Sequence, residues 1–566
     1  MGFVNPVDPN DPAPSLPGRN RLRLVMVGFA LCFALIAGRA AQLSMLAPDV
    51  HRTARSDTYR SPRPDIVDRN GVLLATDIQI ASLWANPRKI IDVEEAIELL
   101  TAVAPELDAK VLHKKLTKDR AFVWLKREVS PAQQRAIHNQ GVPGVGFRNE
   151  TVRVYPMGRL AAHTLGYVDV DSHGLSGMEK FLDDQGALYT ASLSDPAQRA
   201  SLPAQLSIDV RVQHALASEI QKAVDHFRAK AGAGVVLNAK TAEVLAMVSL
   251  PDFNPNKPKH AQEQIRMNRV TSGVYELGSV IKAVTFAMAL DAGVTNLKGK
   301  YDARHPLVIG RARINDFHAQ KRILTVPEVF LYSSNIGTAR MALDVGLEGH
   351  QAFLRKVGLF ERMITEIPEA AAPLLPKRWS KLATVTAAFG HGFAVQPLQG
   401  AAVTASLLNG GRLIRPTFLK REHDTVGGFA KQVIKPQTSE QMRYLFRLNA
   451  QKGTARKAAG EALGYRVGGK TGTAEKVVNG RYSKNHRLTS FIGGFPMEDP
   501  KYVVLVMLDE PKAVKGTFGY ATSGWNAVPT AGKVISRIAP LLGVQPEFDE
   551  EELAKLAKLR AKDQRN

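Results

Sequence analysis

The segment YELGSVIKAVTFAMAL, residues 275–290, is apolar on every side after Gly278 except at Ser279, Lys282 and Thr285. A helix that is apolar all round is buried, so the chain must build a core around it. Serine and lysine three residues apart lie on one helical face, where their polar ends can meet. Because burial lowers the pKa of a lysine, this pair is a possible nucleophile beside a general base. The alternative is that Ser279 only caps the helix and Lys282 extends into solvent.

Two further patterns follow the S-x-x-K pair, which alone is expected by chance about twice in a chain this long. Ser333 and Asn335 form an S-x-N triplet, which we predict to lie inside a helical, apolar setting. A hydroxyl there can relay a proton, and a carboxamide can orient a substrate amide. The sequence KTGT at residues 470–473 comes next, with glycines that suit a strand edge against which another backbone lies. In this order the three patterns are those of penicillin-recognising active-serine enzymes.

Residues 464–471, GYRVGGKT, also satisfy the P-loop pattern of nucleotide-binding proteins. A P-loop must follow a strand and open a helix, yet Gly472 and the hairpin-like VVNGRYSKNHR follow here. Only about a hundred residues remain after Gly464, too few for a core of alternating strands and helices. We therefore expect Lys470 to bind a peptide carboxylate and not a phosphate.

The composition is that of a globular protein with room for several domains. The chain has 566 residues, of which 45% are hydrophobic, and a net charge of +22 that is spread along its length. This spread favours a surface near an anionic membrane or wall over nucleic-acid binding, since no base-reading module is present in the sequence. Cys32 is the single cysteine, and no metal-binding signature such as H-E-x-x-H or paired cysteines occurs. We expect no cofactor.

An apolar run at residues 24–38 follows three arginines and is the segment best suited to a bilayer. As a helix it spans about 22 Å, short of the roughly 30 Å hydrocarbon core, and continuation to residue 46 supplies the rest. The sequence predicts an uncleaved transmembrane anchor over residues 21–46, since no convincing signal-peptidase site follows. Arg39 then extends outward to the interface or faces a membrane partner. The simplest topology places a short tail, residues 1–20, in the cytoplasm and the rest outside.

The pattern of strand-like and helical segments divides the remaining chain into two domains and a tail. Residues 47–205 mix strand-like runs such as GVLLAT and FVWLKREV with a helical stretch near residues 93–116, which predicts an α+β module. At Leu206 a strand leading into an amphipathic helix is expected, followed by a hairpin that turns at residues 239–241. A second domain therefore covers residues 206–545, and residues 546–566 form a charged tail.

These motifs resemble those of class B penicillin-binding proteins over nearly the whole chain. PRPDIVDRNGVLLA resembles the family's R-G-x-I-x-D-R-N-G segment, with Pro64 where glycine is usual, and RVYPMGRLAAHTLGYVD and GLSGMEKFLDD resemble two later motifs. Leu277 replaces a common proline before the active serine. NRVTSGVYELGS is more similar to the cell-division branch (FtsI-type) than to the elongation branch, which remains an alternative.

The resemblance implies an α+β multidomain fold. It consists of a single N-terminal transmembrane helix, an elongated pedestal, and a transpeptidase domain of the penicillin-binding and serine β-lactamase type, in which helices flank an antiparallel sheet. It also implies a bacterial inner-membrane enzyme with a periplasmic catalytic domain, which cross-links peptidoglycan stem peptides, serves septal wall synthesis and is acylated by β-lactams. Implied partners are a SEDS-type membrane glycosyltransferase and divisome proteins, and no nucleic acid.

The resemblance further assigns roles in the reaction. Ser279 attacks the D-Ala-D-Ala amide, Lys282 takes its proton, Ser333 carries the proton to the departing D-alanine, and Asn335 holds the peptide. The substrate carboxylate is bound by the K-T-G strand, with the backbone N–H groups of Ser279 and Thr473 facing the oxyanion. The residues expected on that strand are Lys470, Thr471, Gly472 and Thr473.

Two other outcomes remain open from the sequence. If water and not an amine resolves the acyl-enzyme, the protein is a D,D-carboxypeptidase or β-lactamase. A β-lactamase needs a glutamate that activates the deacylating water. Glu361, Glu366 and Glu369 lie in the general region, but none has an E-x-x-L-N context. An inert, acylatable site would make it a β-lactam sensor or scaffold.

Overall fold

The computed structural model describes residues 17–45, 63–189, 202–421, 428 and 430–563. Residues 1–16 of the predicted cytoplasmic tail, residue 46 at the end of the predicted anchor and residues 47–62 at the start of the predicted pedestal fall outside the described residues. The chain separates into two compact units, Met1–Ser61 and Pro62–Asn566.

The first unit contains one described helix, α1, Pro17–Met45. Large apolar side chains in its middle, such as Phe29, Phe33 and Leu35, are exposed. Among the residues that the structure describes, no helix is both long enough and apolar enough to cross a membrane.

The amino-terminal part of the second unit is a five-stranded sheet with helices. Its strands run in the order β3-β2-β1-β5, with β4 pairing on β2. Strand β5 returns to pair in parallel with β1, whereas the other pairs are antiparallel. The bounds of these elements are β1 (Ile66–Val67), β2 (Leu73–Ala85), α2 (Val93–Val103), α3 (Ala109–Leu116), β3 (Val123–Val129), α4 (Pro131–Asn139), β4 (Val145–Val154), α5 (Ala162–Leu165), α6 (Gly177–Tyr189) and β5 (Ala204–Gln205).

The helical stretch predicted near residues 93–116 is two helices. The break arises at Asp108, whose side chain accepts a hydrogen bond from the Val111 N–H and so caps α3. The strand predicted at Leu206 is also shorter than expected, because Leu206 forms only an isolated bridge with Leu419. Asp209 then caps the next helix by accepting from the Arg211 N–H.

A five-stranded antiparallel sheet with the order β14-β15-β16-β6-β7 organises the rest of the chain. The predicted hairpin and the strands near the carboxyl end are confirmed as members of this sheet, and β14 lies at its edge. The bounds are α7 (Val210–His226), β6 (Ala231–Asn238), β7 (Val244–Leu250), β14 (Gly468–Val478), β15 (Arg481–Phe495), β16 (Tyr502–Asp509), α16 (Ala527–Leu541) and α17 (Glu550–Asp563).

Helices cover both faces of this sheet. Along β16, Val504 and Val506 belong to one buried cluster together with residues of α7 and α16. Val503 and Leu505 point to the opposite face, where they join a cluster that includes the buried 281–290 segment. The alternation follows from the two-residue period of a strand, and it explains why β16 is apolar at consecutive positions.

The helices of the second layer and the small hairpins lie between β7 and β14 in the sequence. Their bounds are α8 (Lys282–Asp291), β8 (Lys300–Asp302), β9 (Leu307–Ile309), β10 (Ala312–Ile314), β11 (Ile323–Thr325), α9 (Val326–Leu331), α10 (Asn335–Val345), α11 (Leu347–Lys356), α12 (Lys381–Ala388), α13 (Pro397–Leu408), β12 (Arg412–Ile414), β13 (Ala430–Gln432), α14 (Pro436–Lys452) and α15 (Arg456–Glu461). Three parts of this domain position the candidate site: helix α8, the link between α9 and α10, and strand β14.

Candidate active site

Ser279 lies half-buried in a single 3-10 turn, Gly278–Val280, just before helix α8. The sequence predicts one helix after Gly278, but the α-helix begins only at Lys282. Gly278 has a φ of 59°, a left-handed conformation that glycine adopts without strain, and its N–H donates to the Gly390 carbonyl. Ser279 is therefore presented on a turn whose backbone is held from outside the helix.

This turn lies directly against the edge strand β14. A Cβ added to Gly472 would fall 2.5 Å from the carbonyl oxygen of Leu277, and one added to Gly278 would fall 3.3 Å from that of Thr473. Glycine at position 472 thus permits the close approach of two backbones, as the sequence predicts. The approach brings Ser279 beside the K-T-G strand.

Two buried lysines meet at the hydroxyl of Ser333. The Lys282 and Lys470 Nζ atoms lie 3.0 Å and 2.9 Å from the Ser333 Oγ, and Lys282 also donates to the Ser333 carbonyl. Lys282 is 1% exposed and Lys470 is fully buried. Neither takes part in an ion pair among the residues that the structure describes. The two amines thus converge without an ion-pair partner in the part of the chain that the structure describes.

This burial changes the protonation of both amines. Burial, and after it the charge of Lys470, hold the pKa of Lys282 well below its ordinary value, although Asp316 acts in the opposite direction. Burial also lowers the pKa of Lys470 to about 7. Desolvation disfavours the charged form of an amine, so a neutral lysine is available at neutral pH to accept a proton.

Ser333 is not inside a helix, and the sequence prediction was wrong on this point. It occupies the link between α9 and α10 with a φ of 55°, unusual for a residue other than glycine. The link is fixed by Asp316, which accepts from the Ser334 hydroxyl at 2.7 Å and from the Ile336 N–H at 2.9 Å. Asn335 is the first residue of α10, and its side-chain amide donates to the Asn315 carbonyl at 2.9 Å.

The K-T-G residues occupy consecutive positions of β14. Lys470 is paired with Ile492 of β15 in the middle of an antiparallel hairpin, which is incompatible with a P-loop. The Thr471 hydroxyl lies 3.0 Å from that of Thr454, and the Thr473 hydroxyl accepts from the Ser523 N–H at 3.2 Å. The strand therefore places a buried amine and two hydroxyls along one edge of the sheet.

Two of the glutamates considered for water activation are engaged elsewhere. Glu366 accepts from the hydroxyl of Thr417 and the N–H of Phe418. Glu369 accepts from the N–H of Gly177 at the start of α6. These contacts give neither carboxylate a partner among the residues of the candidate site.

Comparison with known proteins agrees with this geometry. Residues 232–534 match the penicillin-binding protein transpeptidase domain, and residues 58–186 match the penicillin-binding protein dimerisation domain. The chain is 39% identical over 537 residues to the probable peptidoglycan D,D-transpeptidase FtsI of Caulobacter vibrioides, covering 93% of this chain and 89% of the relative.

Two other relatives extend the comparison. Identity to the probable peptidoglycan D,D-transpeptidase PenA of Neisseria meningitidis (strain Z2491) is 32% over 559 residues, covering 94% of each chain. Identity to the peptidoglycan D,D-transpeptidase FtsI of Escherichia coli K12 is 29% over 559 residues, covering 93% of this chain and 92% of the relative.

The chain belongs to the penicillin-binding protein transpeptidase family. The predicted resemblance to class B, FtsI-like members is confirmed, and so is the predicted architecture of a pedestal followed by a transpeptidase domain. In this penicillin-binding protein the family's catalytic domain thus contains the serine turn, the Ser333 link and strand β14.

A supporting network beneath β14 was not predicted from the sequence. The Asn449 side chain is fully buried, donates to the Gly469 carbonyl at 2.7 Å and accepts from the Thr454 N–H at 3.1 Å. Thr454 in turn meets Thr471, so α14 and the loop after it hold the strand in place. Asn449 and Thr454 belong to no motif, and only their positions in the fold identify them.

A second group at the site also went unpredicted. Glu276, three residues before Ser279, accepts hydrogen bonds from the N–H of Gly392 and the hydroxyl of Tyr482. These partners come from distant parts of the sequence. The closeness of Glu276 to the S-x-x-K pair was the one available signal.

Proposed function

We propose that this protein is a peptidoglycan D,D-transpeptidase that cross-links stem peptides through an acyl-enzyme on Ser279. The observation that carries the proposal is the convergence on Ser333 of two buried lysines that have no ion pair among the described residues. One of them, Lys282, lies three residues after Ser279. Family membership supports the reaction class, and relatives named peptidoglycan D,D-transpeptidase FtsI support peptidoglycan as substrate and a septal role.

In the acylation step, the Ser279 oxygen attacks the carbonyl carbon of the D-Ala-D-Ala amide. Its proton passes to the neutral amine of Lys282, which burial keeps available as a base. Ser333 Oγ lies within hydrogen-bond distance of both lysine amines and so can carry a proton to the nitrogen of the departing D-alanine. The C–N bond then breaks, leaving an ester on Ser279.

Substrate is held along β14 in this proposal. A terminal carboxylate binds Lys470, Thr471 and Thr473, because a buried amine and hydroxyls are suitable donors to an anion. Gly472 leaves room for the serine turn, and the backbone N–H groups of Ser279 and Thr473 face the developing oxyanion. Asn335, whose side-chain amide donates a hydrogen bond to the Asn315 carbonyl, orients the peptide.

Resolution of the ester by an amine from a neighbouring strand completes the cross-link. β-Lactams are covalent inhibitors here because they acylate the same serine as mimics of the peptide. We favour the amine over water as acceptor because Glu366 and Glu369 are engaged by other partners.

We also propose a domain organisation and location. A cytoplasmic tail covers residues 1–20, a single-pass membrane anchor residues 21–46, a pedestal residues 47–205, the periplasmic transpeptidase domain residues 206–545, and a charged tail residues 546–566. Exposed apolar side chains on α1 support the anchor. A SEDS-type glycosyltransferase and divisome proteins are the partners we propose, from the resemblance to the cell-division branch of class B penicillin-binding proteins.

Labelling with a fluorescent penicillin tests the proposal. The full-length protein should be labelled, the Ser279→Ala variant should not, and a matched Ser272→Ala variant, altered seven residues earlier, should be labelled like the wild type. Mass spectrometry should locate the adduct on Ser279. Labelling that survives Ser279→Ala would overturn the site assignment. If the wild-type protein converts a peptide substrate only to hydrolysed product, transpeptidation is overturned.

A further inference from the structure

Glu276 is a half-buried carboxylate beside the serine turn. Its Oε1 accepts from the Gly392 N–H at 3.0 Å and from the Tyr482 hydroxyl at 3.0 Å. No ion pair between described residues includes Glu276. Burial raises the pKa of this carboxyl above its ordinary value. A negative charge that is partly withdrawn from water and has no ion-pair partner among the described residues can attract a cation from outside.

The loop that contacts Glu276 also contacts the serine turn. The Gly390 carbonyl accepts from the Gly278 N–H, while Gly392, two residues later, donates to Glu276. A Cβ on Gly390 would fall 2.1 Å from the Gly278 carbonyl oxygen, so the backbones of this loop and of the serine turn are in direct contact. Glu276 and Ser279 are thus held on one side by the same loop.

His391 and Tyr482 complete the wall around the carboxylate. Their rings meet edge to face with centroids 5.7 Å apart. Burial, and after it the charge of Lys282, lower the pKa of His391 to about 4, so this imidazole is neutral at physiological pH and places no cation near Glu276. Tyr482 is 50% exposed, which leaves the wall open to solvent.

The second half of the proposed reaction, transfer of the acyl group from Ser279 to an amine, needs a base beside the ester. A primary amine with an ordinary pKa of about 10.4 arrives protonated and cannot attack an ester until it loses a proton. A carboxylate beside the ester both attracts the ammonium and accepts the proton, and a raised pKa makes it a better base for this purpose.

We propose that Glu276 binds the ammonium group of the acyl acceptor and takes its first proton, with Tyr482 and Gly392 holding the carboxylate in place. This inference rests on the proposed function. The freed amine attacks the carbonyl carbon of the Ser279 ester, forming a C–N bond. The C–O bond breaks with its electron pair going to the Ser279 oxygen, which receives the second proton from nitrogen through Lys282 and Ser333. The third hydrogen stays on the amide, and Glu276 returns its proton to solvent.

The experiment compares transfer with hydrolysis in the full-length protein in detergent. The acyl donor is a D-alanyl thioester and the acceptor is D-alanine, and both products are quantified by chromatography. Glu276→Gln should lower the ratio of transferred to hydrolysed product about tenfold or more, as expected from the loss of a hydrogen bond to a charged group. Glu461→Gln, at the exposed end of α15 and without an ion pair among described residues, is the matched control and should keep the wild-type ratio.

A shorter carboxylate provides an independent check. Glu276→Asp should recover part of the lost transfer and lower the acceptor KM relative to Glu276→Gln. An unchanged ratio in Glu276→Gln would overturn the inference. An equal fall in penicillin acylation and in transfer would also overturn it, because such a result indicates only that the substitution distorts the serine turn. A wild-type protein that is not acylated, or that never transfers to amine, would instead contradict the proposed function.

Discussion

Two clusters of buried charge in this protein differ in one respect, the presence of opposite charges. In the pedestal, Arg153 lies 2.7 Å from Glu179 and 3.1 Å from Asp77, and Arg63 pairs with the other oxygen of Glu179. In the catalytic domain, the hydrogen bonds that Lys282 and Lys470 donate to described residues go to one hydroxyl and to backbone carbonyls.

The protonation of the two clusters differs accordingly. Burial acts to lower the pKa of Arg153, but Glu179 and Asp77 outweigh it and raise that pKa above its ordinary value. The lysines have no such partner, and their pKa values fall. The paired cluster keeps its charge and joins strands β2 and β4 to helix α6, whereas the unpaired cluster gives up a proton and can act as a base.

Replacing the proposed base should have the largest effect. Lys282→Arg keeps the positive charge but cannot be deprotonated, so the rate of penicillin acylation should fall by about 10² to 10⁴. Stopped-flow labelling measures this rate. Arg153→Lys, the equivalent exchange in the paired cluster, should leave acylation unchanged in the folded fraction. A Lys282→Arg variant that is acylated at the wild-type rate would show that Lys282 is not the base.

Breaking the paired cluster should affect stability and not chemistry. Glu179→Gln leaves Arg63 and Arg153 without their shared carboxylate, so the free energy of unfolding of the pedestal should fall by about 3–5 kcal/mol. Urea denaturation measures the loss. Glu94→Gln removes an exposed partner of His113 and should change stability by under about 0.5 kcal/mol. Equal effects of the two substitutions would contradict the account of the cluster.

Removing an unpaired lysine should stabilise the protein in a pH-dependent way. Lys470 has a pKa of about 7 when folded and an ordinary one of about 10.4 when unfolded, so the wild type becomes more stable as the pH rises across this window. Lys470→Met should therefore be more stable than the wild type at pH 6, on the order of 3 kcal/mol, with the advantage shrinking towards pH 10. Denaturation at both pH values measures it, and a pH-independent difference would argue against a neutral Lys470.

The smallest expected effect concerns Asp316, whose charge raises the pKa of Lys282. Asp316→Asn removes the charge and keeps one amide oxygen, which can still accept from the Ile336 N–H, so the pKa of Lys282 should fall further. The acid limb of the acylation profile should then move to lower pH by under about one unit. Ser334→Ala removes the hydroxyl that donates to Asp316 and accepts from the Gly337 N–H, without changing charge, and should leave the limb in place. A shift to higher pH in Asp316→Asn would reverse the assigned effect.

Much of the fold was predictable because it follows local periodicity. The buried segment around Lys282, the hairpin of β6 and β7, and strand β16 are apolar runs bounded by turn residues, and these patterns depend on neighbours in the sequence. The split at Asp108 and the short strand before Asp209 were missed, because a single capping side chain ends one element and starts the next.

The site was predictable in its motifs and not in its surroundings. Ser279, Lys282, Ser333 and Lys470 occur in recognisable short motifs. The left-handed backbone of Ser333 depends on tertiary contacts through Asp316, which no short pattern reveals. Partners such as Tyr482, 206 residues from Glu276, are likewise brought together only by the fold.

The protonation of the unpaired lysines is the central claim, and it can be measured directly. In protein labelled with ¹³C at lysine Cε, chemical shifts followed against pH give the pKa of each amine, with Lys282→Arg and Lys470→Arg variants assigning the signals. The account predicts a pKa of about 7 for Lys470 and one well below the ordinary value for Lys282. Values near the ordinary 10.4 or so for both lysines would contradict it.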